Sequence, residues 1–206
     1  AYEMLRSLLG SEMCIRDRYK TALALNADYS MVSVSGYGII SGFTNDGNKI
    51  PQQTIPQYYD KLGFSYNKFA DSITVSETEW DFERYKPDII VINLGTNDMS
   101  YATTDERKAE FEDGYLDFLK KVRSLNSDSY IFQTYGVMGT SLEENIENVR
   151  RKYMSETGDE RITFIPLTMQ NEDADGIVAG WHPSPKTHSL VSQKVTAAIK
   201  ETLGYK

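Results

Sequence analysis

The run "DIIVINLG" at residues 88–95 constrains this chain more than any other stretch. A near-continuous β-branched series ending in glycine is the pattern of a strand buried on both faces, as in a parallel sheet. Pro87, just before it, suits a strand entry. Parallel strands need long crossovers, and helical patterns are found where such crossovers belong.

"YKTALALNA" reads as the tail of a helix, and "YSMVSVSG" at residues 29–36 predicts a strand meeting a loop. Thr103 with Glu106 forms a capping-box pattern ahead of Phe111, Tyr115, Phe118, Leu119 and Val122 on one helix face. "SYIFQTYG" predicts the next strand, and Ser141 with Glu144 repeats the box ahead of Ile146, Val149 and Tyr153. "ITFIPL" predicts a further strand. The last helix starts at Ser184-Pro185, turns Val191, Val195, Ile199 and Leu203 inward, and stops at Gly204. Strands separated by single helices imply right-handed crossovers and a three-layer αβα sandwich with a mostly parallel, flavodoxin-like sheet. Ligands in such folds lie beyond the carboxyl ends of the strands.

The 206 residues suffice for one well-buried domain. A net charge of −8 argues against nucleic-acid or anionic-membrane partners, because both reward basic surfaces. No apolar run approaches the roughly 20 residues of a membrane span.

The first residues follow a different logic. "SEMCIRDRY" at residues 11–19 matches the translation of a transposon end used to fragment DNA for sequencing. Its Met-Cys-Ile-Arg-Asp-Arg core reverse-translates as atg tgt ata aga gac ag plus one base. Residues 1–18 are therefore expected to be a sequencing or assembly scar, with the domain proper at residues 19–206 and truncated at its N-terminus. Cys14, the one cysteine, falls inside that segment and carries no information on redox compartment.

Three strand ends carry polar residues suited to one rim of the sheet: "SGYG" at 35–38, "GTND" at 95–98 and "GWHPS" at 180–184. Ester hydrolysis needs a nucleophile, a base and donors aimed at a developing oxyanion. A glycine N–H and an Asn amide are suitable donors, and His182 is a suitable base near neutral pH. Singly, each stretch also has a plain reading as turn chemistry or packing. In this order, Gly, then Gly-x-Asn-Asp, then His-Pro, the chain resembles the SGNH (GDSL-type) hydrolase superfamily. "WDFERYKPDIIVINLGTND" and "GWHPS" are closer still to its carbohydrate esterase family 2 branch, whose members deacetylate plant polysaccharides.

The resemblance implies that Gly36 offers its backbone N–H to the oxyanion, Asn97 adds its side-chain amide, and His182 is general base and then acid. Many relatives place an aspartate three residues before that histidine. Ala179 stands there in this chain, and family 2 esterases often orient the histidine through a backbone carbonyl instead. Trp181 is a candidate platform for a sugar ring, with a loop aromatic as the plainer alternative. Asp173 and Asp175 read as loop solvation, and His188 as surface or packing. No spacing suggests a metal site, and the chemistry requires no cofactor. The resemblance further implies a secreted or cell-surface enzyme acting on a small-molecule or polysaccharide acetyl ester.

The nucleophile is the exception. In the family it follows the first strand, ahead of the glycine block, and here that region coincides with the suspect segment. The first strand and the Gly-Asp-Ser turn are expected to be missing or replaced. "FADSITVSE" at residues 69–77 spells Asp-Ser-Ile-Thr, but Ala70 replaces the glycine and the string falls after the glycine block, so Ser72 reads as a linker serine. Ser11 follows Gly10 but lacks a preceding strand. The expectation is an acetyl esterase domain whose own chain is inactive. The alternatives are a lipid-directed or general GDSL-type esterase and a non-catalytic carbohydrate-binding pseudoenzyme.

Overall fold

The structure, a computed structural model, describes residues 12–64, 68–69 and 73–205. Gly10, Ser11, Ala70 and Ser72 lie outside the described residues. In chain order the elements are α1 (Glu12–Ala24), β1 (Lys68–Phe69), β2 (Ile73–Thr74), β3 (Ile89–Asn93), α2 (Asp105–Leu125), β4 (Tyr130–Tyr135), α3 (Glu143–Thr157), β5 (Ile162–Pro166), α4 (Glu172–Asp175), β6 (Ile177–Val178), β7 (His182–Pro183) and α5 (Pro185–Leu203). Short 3-10 turns lie at Ile55–Gln57, Asp98–Ser100 and Ala179–Trp181. The chain divides into two compact units.

One unit comprises Gly36–Tyr135 and Ser141–Phe164. Its sheet has the order β3-β4-β5, with β3 parallel to β4 from Ile89↔Tyr130 to Asn93↔Thr134. The parallel strand expected at "DIIVINLG" is present and single helices connect the strands as anticipated, but within β3 only Ile92 is buried, so the expected burial on both faces is not seen. Helices α2 and α3 pack together. The predicted faces are the buried ones: Phe111, Tyr115, Phe118, Leu119 and Val122 on α2, and Ile146, Val149 and Tyr153 on α3. Burying an aliphatic or aromatic side chain contributes roughly 1.5–3 kcal/mol, so these two stripes are a large part of the unit's core together with Ile131, Phe132 and Tyr135 of β4.

The other unit comprises Ala1–Ser35, Gly136–Thr140 and Ile165–Lys206. Here α1 packs on α5, which buries Val191, Val195 and Ile199. His188 is 4% exposed and its Nδ1 lies 3.6 Å from Asp17 Oδ1, a packing position. Strands β6 and β7 form a short antiparallel pair, Val178 facing His182. Ser184 caps α5 by accepting from the Thr187 N–H at 3.2 Å, and Gly204 ends it in the left-handed region.

Four expectations are corrected. Residues 29–36 form no strand; Tyr29 and Val32 are 47% and 48% exposed. Alternation makes a strand only where a neighbour completes the ladder, and no described segment pairs with this one. The cap of α2 is Thr104, whose side chain accepts from the Arg107 N–H, and not Thr103. Ser141 does not cap α3; the capping position falls on Leu142, with no side-chain cap bond. Leu203 is only half-buried, at the last position of α5.

Candidate active site

The end of β3 leads through Gly95 into the 3-10 turn that carries Asn97 and Asp98. Gly95 has φ +114° and packs within 3.3–3.4 Å of Tyr135, Ile146 and Phe111 on an added Cβ's reckoning, so the turn is pressed onto the unit's core. This fixes the direction in which the next residues leave the strand. Asn97 is half-buried and donates its Nδ2 to the Tyr37 carbonyl at 2.7 Å. A primary amide has two hydrogens, so one stays available after that bond.

Gly36 lies next to Tyr37, with φ +79° and open space where a side chain would project. Its carbonyl accepts from the Phe43 N–H at 2.8 Å, closing residues 36–43 into a loop. Its own N–H makes no hydrogen bond among the described residues. Structure therefore brings together two of the sequence-predicted donors, Gly36 and Asn97, on adjoining turns of one unit.

Asp98 is the residue that sequence reasoning missed. Its side chain is 0% exposed, and it fills the loop that Gly36 closes. Oδ1 accepts from the N–H groups of Ile39, Ile40 and Ser41 at 2.9, 2.8 and 3.2 Å, and Oδ2 from Ile39 at 2.9 Å. Burial pushes this carboxyl above the usual carboxylate range, while the amides of Ile40, Ile39 and Ser41 pull the other way. Gly38 is required by space: a Cβ there would lie 2.1 Å from the Ser41 carbonyl oxygen and 2.4 Å from Asp98 Oδ2. The available signal was the Asp of "GTND" directly after a strand end, where a carboxylate drawn out of water needs donors.

His182 and Trp181 belong to the other unit. His182 is half-buried at the start of β7, just ahead of the Ser184 cap. Gly180 and Trp181 precede it with φ +69° and +61°, two consecutive left-handed residues. That conformation is ordinary for glycine and costs a bulky residue on the order of 1–3 kcal/mol. It is secured by Gln170 Nε2, which donates to the Trp181 carbonyl at 2.8 Å. A side chain at 180 would meet the His182 ring, 3.3 Å from Cδ2, so glycine also leaves room for the imidazole. The Trp181 side chain is left 42% exposed. Asp175 pairs with Lys186 Nζ at 2.9 Å, in keeping with a structural reading. No group of three or more His, Cys, Asp or Glu suited to a metal ion occurs among the described residues. No helix among them is long and apolar enough to cross a membrane.

Comparison with known proteins shows the family. The profile of the GDSL-like Lipase/Acylhydrolase family matches residues 15–195. The chain is 31% identical over 194 residues to "Cellulase/esterase CelE" of Acetivibrio thermocellus, covering 90% of this chain and 21% of that protein. An "Acetylxylan esterase / glucomannan deacetylase" of Cellvibrio japonicus is 24% identical over 188 residues, covering 90% and 47%. Among solved structures, the acetyl xylan esterase Est2A of the rumen bacterium Butyrivibrio proteoclasticus superposes with TM-score 0.82 at 25% identity, over 92% of this chain and 56% of that one. A family two carbohydrate esterase from Clostridium thermocellum, solved in complex with cellohexaose, gives TM-score 0.72 at 30% identity over 90% and 53%. The chain thus spans less than two thirds of the length of each of these proteins. With its α/β fold, its parallel sheet and its matched profile, the chain belongs to the GDSL-like lipase/acylhydrolase family, and its neighbours there are family 2 carbohydrate esterases.

Proposed function

We propose that this chain is a carbohydrate acetyl-esterase domain whose nucleophile segment has been overwritten. The observation that carries the reading is the pairing of Gly36 and Asn97 on adjoining turns, each with a hydrogen-bond donor left over, in a chain whose relatives are esterases. The complete reaction is the one that the family resemblance implies: a serine oxygen attacks the acetyl carbonyl while His182 takes the serine proton. The carbonyl oxygen becomes an oxyanion held by the Gly36 N–H and the free Asn97 amide hydrogen. His182 then gives its proton to the departing sugar hydroxyl, leaving an acetyl-enzyme. Water repeats the sequence and releases acetate. Removing one such donor from an oxyanion hole costs about 2.7–4 kcal/mol of barrier. Trp181, exposed and held at a strained backbone position, offers its ring to the sugar.

The match of residues 11–19 to a translated transposon end, ahead of the glycine block where the family places its nucleophile, supports the second half of the proposal. Secretion or cell-surface placement follows from a polysaccharide substrate that does not enter cells.

Acetate release from acetylated xylan and from 4-nitrophenyl acetate tests both halves. The chain as it stands should show no turnover above background, and a version with a Gly-Asp-Ser strand and turn restored ahead of Tyr19 should turn over. His182→Ala in the restored version should abolish it. Turnover by the unrestored chain that disappears on Ser72→Ala or Ser11→Ala overturns the overwritten nucleophile. A restored version that binds acetylated xylan without hydrolysing it makes the domain a binding module, and preference for long-chain lipid esters moves it to the lipid-directed branch.

A further inference from the structure

We propose that Asp98 is a positioning residue: its carboxylate, through the amides of Ile39, Ile40 and Ser41, sets the loop that presents the Gly36 N–H. The inference rests on reading Gly36 and Asn97 as the oxyanion donors.

Three consecutive backbone N–H groups converge on one carboxylate, at 2.8–3.2 Å from Oδ1. Successive amides do not converge in this way in a strand or a helix; they do so around an anion. Here the anion is supplied by the protein itself. The carboxylate sits inside the loop closed by the Gly36 carbonyl and the Phe43 N–H. Its neighbour in sequence, Asn97, holds the Tyr37 carbonyl from the same turn. One dipeptide therefore fastens the loop on both sides of Gly38, where no Cβ fits. Preorganised donors stabilise an oxyanion because they need no reorientation during the reaction, so whatever fixes Gly36 contributes to catalysis without touching substrate.

A second hold competes for the same role. The Ile40 side chain occupies the notch left by Gly114 on α2, where an added Cβ would lie 2.3 Å from Ile40 Cγ2. Asparagine at 98 is isosteric but removes the carboxylate charge that the three amides surround and turns Oδ2, which accepts from the Ile39 N–H, into a donor facing that N–H. A space-filling role tolerates it, whereas a positioning role does not.

The test uses the 15N-labelled full chain and acetate as a probe of the donors, read from the Gly36 amide and the Asn97 side-chain amide. In Asp98→Asn, the amide protons of Ile39, Ile40 and Ser41 should move upfield and the Gly36 amide should shift, while α2 and α3 resonances stay in place. Acetate binding should weaken at least tenfold. Unchanged loop resonances, or acetate binding within twofold of the wild-type chain, overturn the proposal. Ile40→Ala keeps the three amides on the carboxylate and should leave the Gly36 amide and acetate binding within twofold. A tenfold loss there assigns the hold to packing and overturns the proposal, even if Asp98→Asn does not fold. A wild-type chain that binds no acetate sinks the oxyanion-donor reading of Gly36 and Asn97; the Gly36 and Ile39–Ser41 resonances then still decide whether Asp98 sets the loop.

Discussion

Two aspartates, Asp46 and Asp98, show how surroundings decide what a carboxylate does. Asp98 is enclosed, and burial pushes it up. Asp46 is fully exposed and pulled down to about 2, chiefly by the Thr44 hydroxyl at 2.7 Å, then by the Asn48 backbone N–H at 3.0 Å and Asn48 Nδ2 at 2.8 Å. A depressed carboxyl favours the folded turn while ionised. That contribution is complete above the ordinary value near 4 and is lost as pH falls through about 2. An NMR titration of the Asp46 side-chain carbonyl should therefore have its midpoint near 2, with the Asn48 amide following the same curve. In Thr44→Val the midpoint should rise toward the ordinary carboxylate value; a wild-type midpoint near 4 would show that the turn exerts no pull. Both residues stood in plain view as "TNDGN" and "GTND". Turn chemistry was read at "GTND" and not at "TNDGN", and burial was legible at neither, because it depends on which residues arrive from elsewhere in the chain.

At the scale of elements, periodicity was a sound guide and capping was a partial one. The apolar faces of α2 and α3 are read correctly because helical spacing is a local property of the backbone. The strand expected at residues 29–36 fails because pairing is not local. Of the three N-terminal caps read from sequence, only Ser184 holds, where Pro185 at the first turn removes any choice of register, while the C-terminal stop at Gly204 also holds. At α2, two adjacent threonines offer the same chemistry, and Thr104 takes the position with a long 3.4 Å bond. Ser184→Ala should cost about 1 kcal/mol in urea unfolding, and Thr104→Ala less than about half of that. A larger loss at Thr104 than at Ser184 would mean that bond length does not rank these caps.

Across the molecule, alternation of strands and helices identified the α/β class from order along the chain, and the same order brought Gly36 and Asn97 forward as candidate donors. What order does not reveal is how distant segments are fastened, and Arg123 is the clearest instance. It lies in the last turn of α2 and sequence reading gave it no role. In the structure its Nη1 donates to the carbonyls of Asn126, Ser127 and Ser129 at 3.0, 3.2 and 2.6 Å, and its Nη2 to the Arg161 carbonyl at 3.3 Å. Its Nε lies 2.7 Å from Asp159 Oδ2, with the two side chains only 15% and 14% exposed. One guanidinium thus joins the end of α2 to the starts of β4 and β5, using the planar fork that a lysine lacks. Lys120, one turn earlier, makes an ion pair of the same 2.7 Å length with Glu156, but at 42% and 41% exposure. If distance decided strength, the two would be equal. Desolvation makes them unequal. Arg123→Ala removes a donor from the part-buried carbonyls of Asn126 and Ser129 and leaves Asp159 with Arg161 and Tyr153 as partners, so it should cost about 3 kcal/mol, near the lower end for breaking a buried pair. Lys120→Ala should cost no more than about 0.5 kcal/mol. Arg123→Lys should recover less than half of the loss, because a single ammonium cannot reach all of these acceptors. Urea midpoints for the three variants check the order, and near-equal losses for Arg123→Ala and Lys120→Ala would reduce the Arg123 knot to an ordinary surface pair.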